Sequence, residues 1–85
     1  MAEERIGVVT HYFGKAHVAA IQLTDGELRI GDTIHIKGHT SDFTQTVDSM
    51  QIEHEQIETA RAGQMIGMKV AGHAREHDEV YKVVD

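Results

Sequence analysis

Apolar residues alternate with polar ones along most of this chain, at the period of two that marks β-strands. Ile6-Gly7-Val8-Val9-Thr10-His11-Tyr12-Phe13 is rich in β-branched and aromatic residues and predicts a strand. Gly14-Lys15 predicts a turn, and Ala16 to Leu23 a second strand with Ala19, Ile21 and Leu23 on one face. Asp25-Gly26 and Gly31-Asp32 then give two turn signals, with Leu28 and Ile30 between them as inward residues. In the second turn the glycine takes the left-handed position and the Asp carboxylate accepts a backbone N–H. Thr33 to Lys37 alternates cleanly, with Ile34 and Ile36 inward and Thr33, His35 and Lys37 outward.

Gly38 to Asp42 is a loop by composition. Phe43 to Glu53 is β-compatible but irregular. Val47 and Met50 both want burial at a spacing of three, which predicts a β-bulge near Asp48-Ser49. His54 to Gly63 predicts a packed connection. Met65 to Val70 predicts a strand with Ile66, Met68 and Val70 on one face. A charged loop follows, in which Asp78 shapes the turn before a last strand, Glu79 to Val84. Six or seven short strands without a long helix predict an all-β fold, and closure is favoured because it removes exposed edges.

The order of these signals resembles a known family. It runs Gly7-Val8-Val9, then Gly26-x-Leu28-x-x-Gly31-Asp32-x-Ile34-x-Ile36-x-Gly38. Val47-x-Ser49-Met50, Ala60-x-Ala62-Gly63-Gln64-x-Ile66-Gly67-Met68 and Asp78 complete it. This is similar to the second domain of translational GTPases such as elongation factor Tu. It also resembles the barrel at the C-terminal end of some collagenase-like peptidases. The resemblance implies a small closed six-stranded Greek-key barrel, with residues 1–85 as one domain. It does not carry over a GTPase, because Gly14-Lys15-Ala16 lacks the upstream glycine and the Mg²⁺-holding hydroxyl of a phosphate loop. Gln51 and Thr59 stand where elongation factor Tu has acidic residues near the end of tRNA.

Composition narrows the chemistry. The chain has 85 residues and no cysteine, so disulfides, thiolate metal sites and a Cys nucleophile are excluded. Eight Lys and Arg against 14 Asp and Glu give a net charge of −6, which opposes general nucleic-acid binding. No apolar run is long enough for a signal peptide or a membrane span, and the expected location is cytoplasmic. Ser41 and Ser49 lie in no nucleophile motif, so the chain is expected not to be an enzyme and to need no cofactor or nucleotide. His35/His39 and His73/His77 are each four apart. In a strand that spans roughly 13 Å, too far for one zinc, so solvated surface histidines and no metal are expected.

The leading functional expectation is a stand-alone, elongation-factor-like binding module that docks on ribosomal RNA, tRNA or a translation-related protein. Lys15, Arg29, Lys37, Arg61 and Lys69, with Tyr12 for base stacking, are its candidate contact residues. The alternative is a protein-interaction or structural subunit, homo-oligomeric in one form, without RNA contact.

Overall fold

The computed structural model describes residues 2–84, and every element in it is a strand. There are ten: β1 Ala2–Phe13, β2 Val18–Leu23, β3 Glu27–Arg29, β4 Thr33–Lys37, β5 Asp42–Thr46, β6 Met50–Ile52, β7 Glu55–Ile57, β8 Thr59–Arg61, β9 Met65–Lys69 and β10 Glu79–Val84. Eight form one antiparallel sheet in the order β5-β4-β10-β1-β2-β9-β6-β7, and β3 pairs with β8 as a separate ribbon. All-β architecture is as the sequence pattern predicts, with more and shorter strands.

The inward faces are largely the predicted ones. Ala19, Ile21, Leu23, Leu28, Ile34, Ile36, Ile66, Met68 and Val70 join a single buried cluster with Ile6, Val9, Val47, Met50 and Val80. β1 is long enough to serve two neighbours and bends to do so. Its register slips between Arg5 and Gly7 against β10, and between Val9 and His11 against β2. These irregularities bring Ile6 and Val9, three apart, into the same core. Gly7 is needed at the bend, because a Cβ there would lie 2.5 Å from the Gln22 carbonyl oxygen.

Three expectations are corrected. The first is Ile30, which is 40% exposed. The Asp32 N–H donates to the Arg29 carbonyl at 3.0 Å, so Ile30 sits on the outside of a turn instead of continuing β3. The second is the bulge predicted near Asp48-Ser49. The strand ends at Thr46, and the Gly31-Asp32 corner captures the Val47 backbone. Gly31 donates to the Val47 carbonyl at 2.9 Å, and Val47 donates to the Asp32 carbonyl at 2.8 Å. Val47 and Met50 reach the core from either side of a break. The third is the connection from His54, which is partly a hairpin. β6 and β7 pair Ile52 with Glu55, leaving Glu53-His54 as a two-residue loop.

The Gly31-Asp32 turn has the predicted chemistry. Gly31 takes φ 96° and the Asp32 carboxylate accepts the Arg29 N–H at 2.8 Å. Asp78 also behaves as expected, accepting the Arg75 N–H at 2.9 Å while only 4% exposed. Gln45 of edge strand β5 donates to the Lys69 carbonyl at 3.0 Å and accepts the Ala71 N–H at 2.6 Å, at the end of β9.

A candidate binding furrow on the outer sheet face

β2, β9 and β6 turn Ile21, Ile66, Met68 and Met50 inward, so the alternate residues line the outside. Ala20 pairs with Gly67, which pairs with Gln51, and Val18 pairs with Lys69. A glycine in mid-strand leaves a low point on a sheet surface. The nearest atoms to a Cβ built on Gly67 would be 3.7 Å away, on Val18, and 4.0 Å away, on the Gln51 carbonyl. That space is open to a ligand.

Two adjoining clefts meet there. One, of about 480 Å³, is lined by Phe13, Ala16, Val18, Gln51, Glu53, His54 and Gly67. The other, of about 190 Å³, shares Ala16, Val18, Gln51 and Gly67 and adds Ser49 and Lys69. Phe13 is 50% exposed at the rim, and Met65, at 47%, lies farther along β9. The furrow is therefore apolar along its floor, with the Phe13 ring and the polar Gln51, Glu53 and His54 side chains around it, the usual make-up of a binding site. Ser49 and Lys69 share the smaller cleft, but Lys69 is exposed, whereas a lysine base is made by desolvation.

The backbone around the furrow is strained. Glu53 and His54 have φ 50° and 69°, and His17, in the turn before β2, has φ 55°. Non-glycine residues in this region each cost on the order of 1–2 kcal/mol. An Asn-Gly loop would relax the Glu53-His54 turn. Glu53 and His54 instead present side chains that line the larger cleft. Strain kept where a relaxed alternative exists points to a use for those side chains.

The six residues expected to contact RNA are spread over several elements. Lys15 is on the exposed turn between β1 and β2, and Lys69 is on β9 in the furrow. Lys37 lies on β4, paired with Glu79 and Asp42. Arg29 and Arg61 belong to the β3–β8 ribbon, with Arg29 3.0 Å from Glu27 and Arg61 opposite Glu27. Tyr12 is packed against the core edge, its ring centroid 4.5 Å from that of His73. Only Lys69 lines the furrow.

Among the described residues, no group of three or more His, Asp or Glu is placed to hold a metal. The histidines are nevertheless not all solvated. His35 has a side chain only 16% exposed and lies between two carboxylates. Sequence reasoning missed the furrow itself. Its one signal was Gly67 between Ile66 and Met68, a strand glycine with no turn to make.

Over 77 residues, 89% of its length, the chain is 43% identical to a protein of Methanocaldococcus jannaschii named an uncharacterized protease. Over 78 residues it is 35% identical to a collagenase of Porphyromonas gingivalis. These relatives are named as proteases. The chain spans about a fifth of their length, 19% and 22% respectively. The C-terminal domain of a candidate U32 peptidase of Geobacillus thermoleovorans superposes with a TM-score of 0.87 at 24% identity, covering 95% of this chain and 93% of that one. GDP-bound aIF5B from Aeropyrum pernix superposes less well, with a TM-score of 0.67 at 16% identity over 14% of its length. No protein-family profile matches the chain.

These findings correct the functional expectations. The collagenase-like resemblance holds, while the translational-GTPase one does not, since a likeness at 16% identity shows the fold alone. A translation module docking on RNA or a translation-related protein, and a protein-interaction or structural subunit as its alternative, both give way to a domain similar to segments of proteins named protease and collagenase. The expectation that the chain is not an enzyme is likewise contradicted, by relatives named protease and collagenase. The misreading has a physical source. Gly26, Gly31, Asp32 and Gly38 are turn and packing residues of the fold, and a fold is shared by proteins of unlike function.

Proposed function

We propose that this chain is a polypeptide-recognising domain of a protease, and that the Gly67 furrow receives the polypeptide. The observation that carries this is the 43% and 35% identity to segments of proteins named protease and collagenase. The furrow supports the placement. Its floor of Ala16, Val18 and Gly67 admits an extended backbone closely, Phe13 offers an apolar rim, and Gln51 and His54 offer side-chain hydrogen bonds. The test is fluorescence anisotropy of a labelled, permanently unfolded polypeptide titrated with the protein. Saturable binding is expected, weakened at least tenfold in Phe13→Ala and Gly67→Val. A flat titration at millimolar protein refutes the proposal.

We also infer that the curved sheet works as a closed barrel. The support is the Gln45 bridge, which ties edge strand β5 to the chain leaving β9 by two side-chain hydrogen bonds. Gln45→Ala is expected to increase hydrogen exchange at Ala71 and along β5. Unchanged exchange at both contradicts the inference.

A further inference from the structure

His35 sits on the outer face of the sheet with a carboxylate on each ring nitrogen. Nδ1 is 2.8 Å from Glu3 Oε2, and Nε2 contacts Asp42 Oδ1. The three residues come from three strands. Glu3 is in the leading part of β1, His35 in β4 and Asp42 at the start of β5. β10 lies between β1 and β4, so the Glu3–His35 contact spans it. The leading residues Ala2 to Arg5 have a ladder only with β10, because pairing with β2 begins at Gly7. The Glu3–His35 contact is a second hold on this stretch.

A neutral imidazole has one N–H donor and one lone pair, whereas the imidazolium has two donors. A carboxylate cannot donate to the lone pair. Both contacts therefore exist together only when the ring is protonated. Loss of the proton leaves one carboxylate facing a lone pair. Of the two, Asp42 is bound to its partner by the adjacent β4–β5 ladder, while Glu3 is held across an intervening strand.

We propose that His35 is a protonation-dependent latch that fastens the leading end of β1 across β10 to the β4–β5 hairpin. The surrounding charges fit this role. On β1 the neighbours are Glu3 and Arg5, on β10 Glu79 and Tyr81, on β4 Lys37, and on β5 Asp42. The Tyr81 ring lies 6.4 Å from the His35 ring, and its hydroxyl donates to Glu79. Arg5 and Lys37 oppose the imidazolium, but neither contacts it as the two carboxylates do. The hydrogen bonds that the ring donates to Asp42 and then to Glu3 raise the His35 pKa from its ordinary 6.5, so the latch opens at a higher pH than an unpaired histidine would set.

The test pairs two measurements on the whole chain across pH 5 to 9. Nitrogen NMR follows the protonation of His35 at both ring positions, and hydrogen exchange, corrected for its intrinsic pH dependence, follows residues 2–5. Protection of residues 2–5 is expected to fall about two- to fivefold in step with the His35 titration, the scale of a surface ion pair. It is expected to be pH-independent in His35→Gln. Glu3→Gln alone is expected to start at the lower protection and stay there. The proposal is overturned if protection is constant through the titration, or if His35→Gln shows the same fall as the parent.

Discussion

Gly38→Ala is a small change that the structure makes expensive. The new Cβ would lie 1.9 Å from Asp78 Oδ1 and 2.5 Å from its Cγ, well inside contact distance. The Asp78 side chain cannot yield freely. It is 4% exposed and its other oxygen accepts the Arg75 N–H at 2.9 Å. Its backbone is held too, since the Val9 N–H donates to the Asp78 carbonyl at 2.8 Å. Displacing the carboxylate loses a hydrogen bond to a charged group, about 1.5–3 kcal/mol. Residual overpacking adds about 1–3 kcal/mol. Allowing for partial relaxation, the expected loss is about 3 kcal/mol, or roughly 12–24 °C in Tm for a domain of this size. Thermal and urea melts by circular dichroism on Gly38→Ala, Asp78→Ala and the double variant form a cycle. In the Asp78→Ala background the second change is expected to cost less than about 1 kcal/mol, because the obstructing carboxylate is gone. A Gly38→Ala protein melting within a few degrees of the parent refutes the reasoning. An equal loss in both backgrounds refutes it as well.

Further outcomes follow from the same geometry. Replacing Glu53-His54 by Asn-Gly relieves two left-handed residues and is expected to raise stability by about 1 kcal/mol, measured by urea melts, while weakening polypeptide binding. Phe13→Ala removes a half-exposed ring and is expected to leave Tm within a few degrees of the parent, so any binding defect is local. Gly72→Ala would place a Cβ 2.7 Å from the Phe43 ring and is expected to cost about 1–3 kcal/mol in the same melts. Stability against pH has two arms. His35, with a raised pKa, contributes fully below about pH 6.5 and loses its contribution as pH rises through its folded value. Asp42 has its pKa lowered chiefly by the His35 hydrogen bond, so its contribution is present above about pH 3.8 and is lost on acidification through its folded value. Tm measured against pH should therefore fall on the alkaline side, and His35→Gln should remove that part of the fall.

The core was legible because alternation is a strong signal wherever both neighbours of a buried residue are polar. Ile34 and Ile36, flanked by Thr33, His35 and Lys37, were read correctly on that ground alone. Ile30 was misread because alternation continued past the point where a turn had begun. Val47 and Met50 were placed inward correctly, but a strand break and a bulge leave the same spacing in a sequence. The β6–β7 hairpin was invisible because Glu53-His54 lacks the Asn or Gly that left-handed turns favour. The furrow depends on which residues are adjacent across β2, β9 and β6, and no local pattern contains that. His35 was read as a solvated outward residue. Its partners Glu3 and Asp42 are 32 and 7 residues away, so only the strand order brings the three together.

Whether the Gly67 furrow receives a polypeptide is decided by backbone chemical-shift mapping of the protein with an unfolded polypeptide. Saturable shifts concentrated at Phe13, Val18, Gln51, His54 and Gly67 are expected, and none in Gly67→Val at the same polypeptide concentration. Binding with shifts confined to other faces, or no shifts at all, contradicts the proposal.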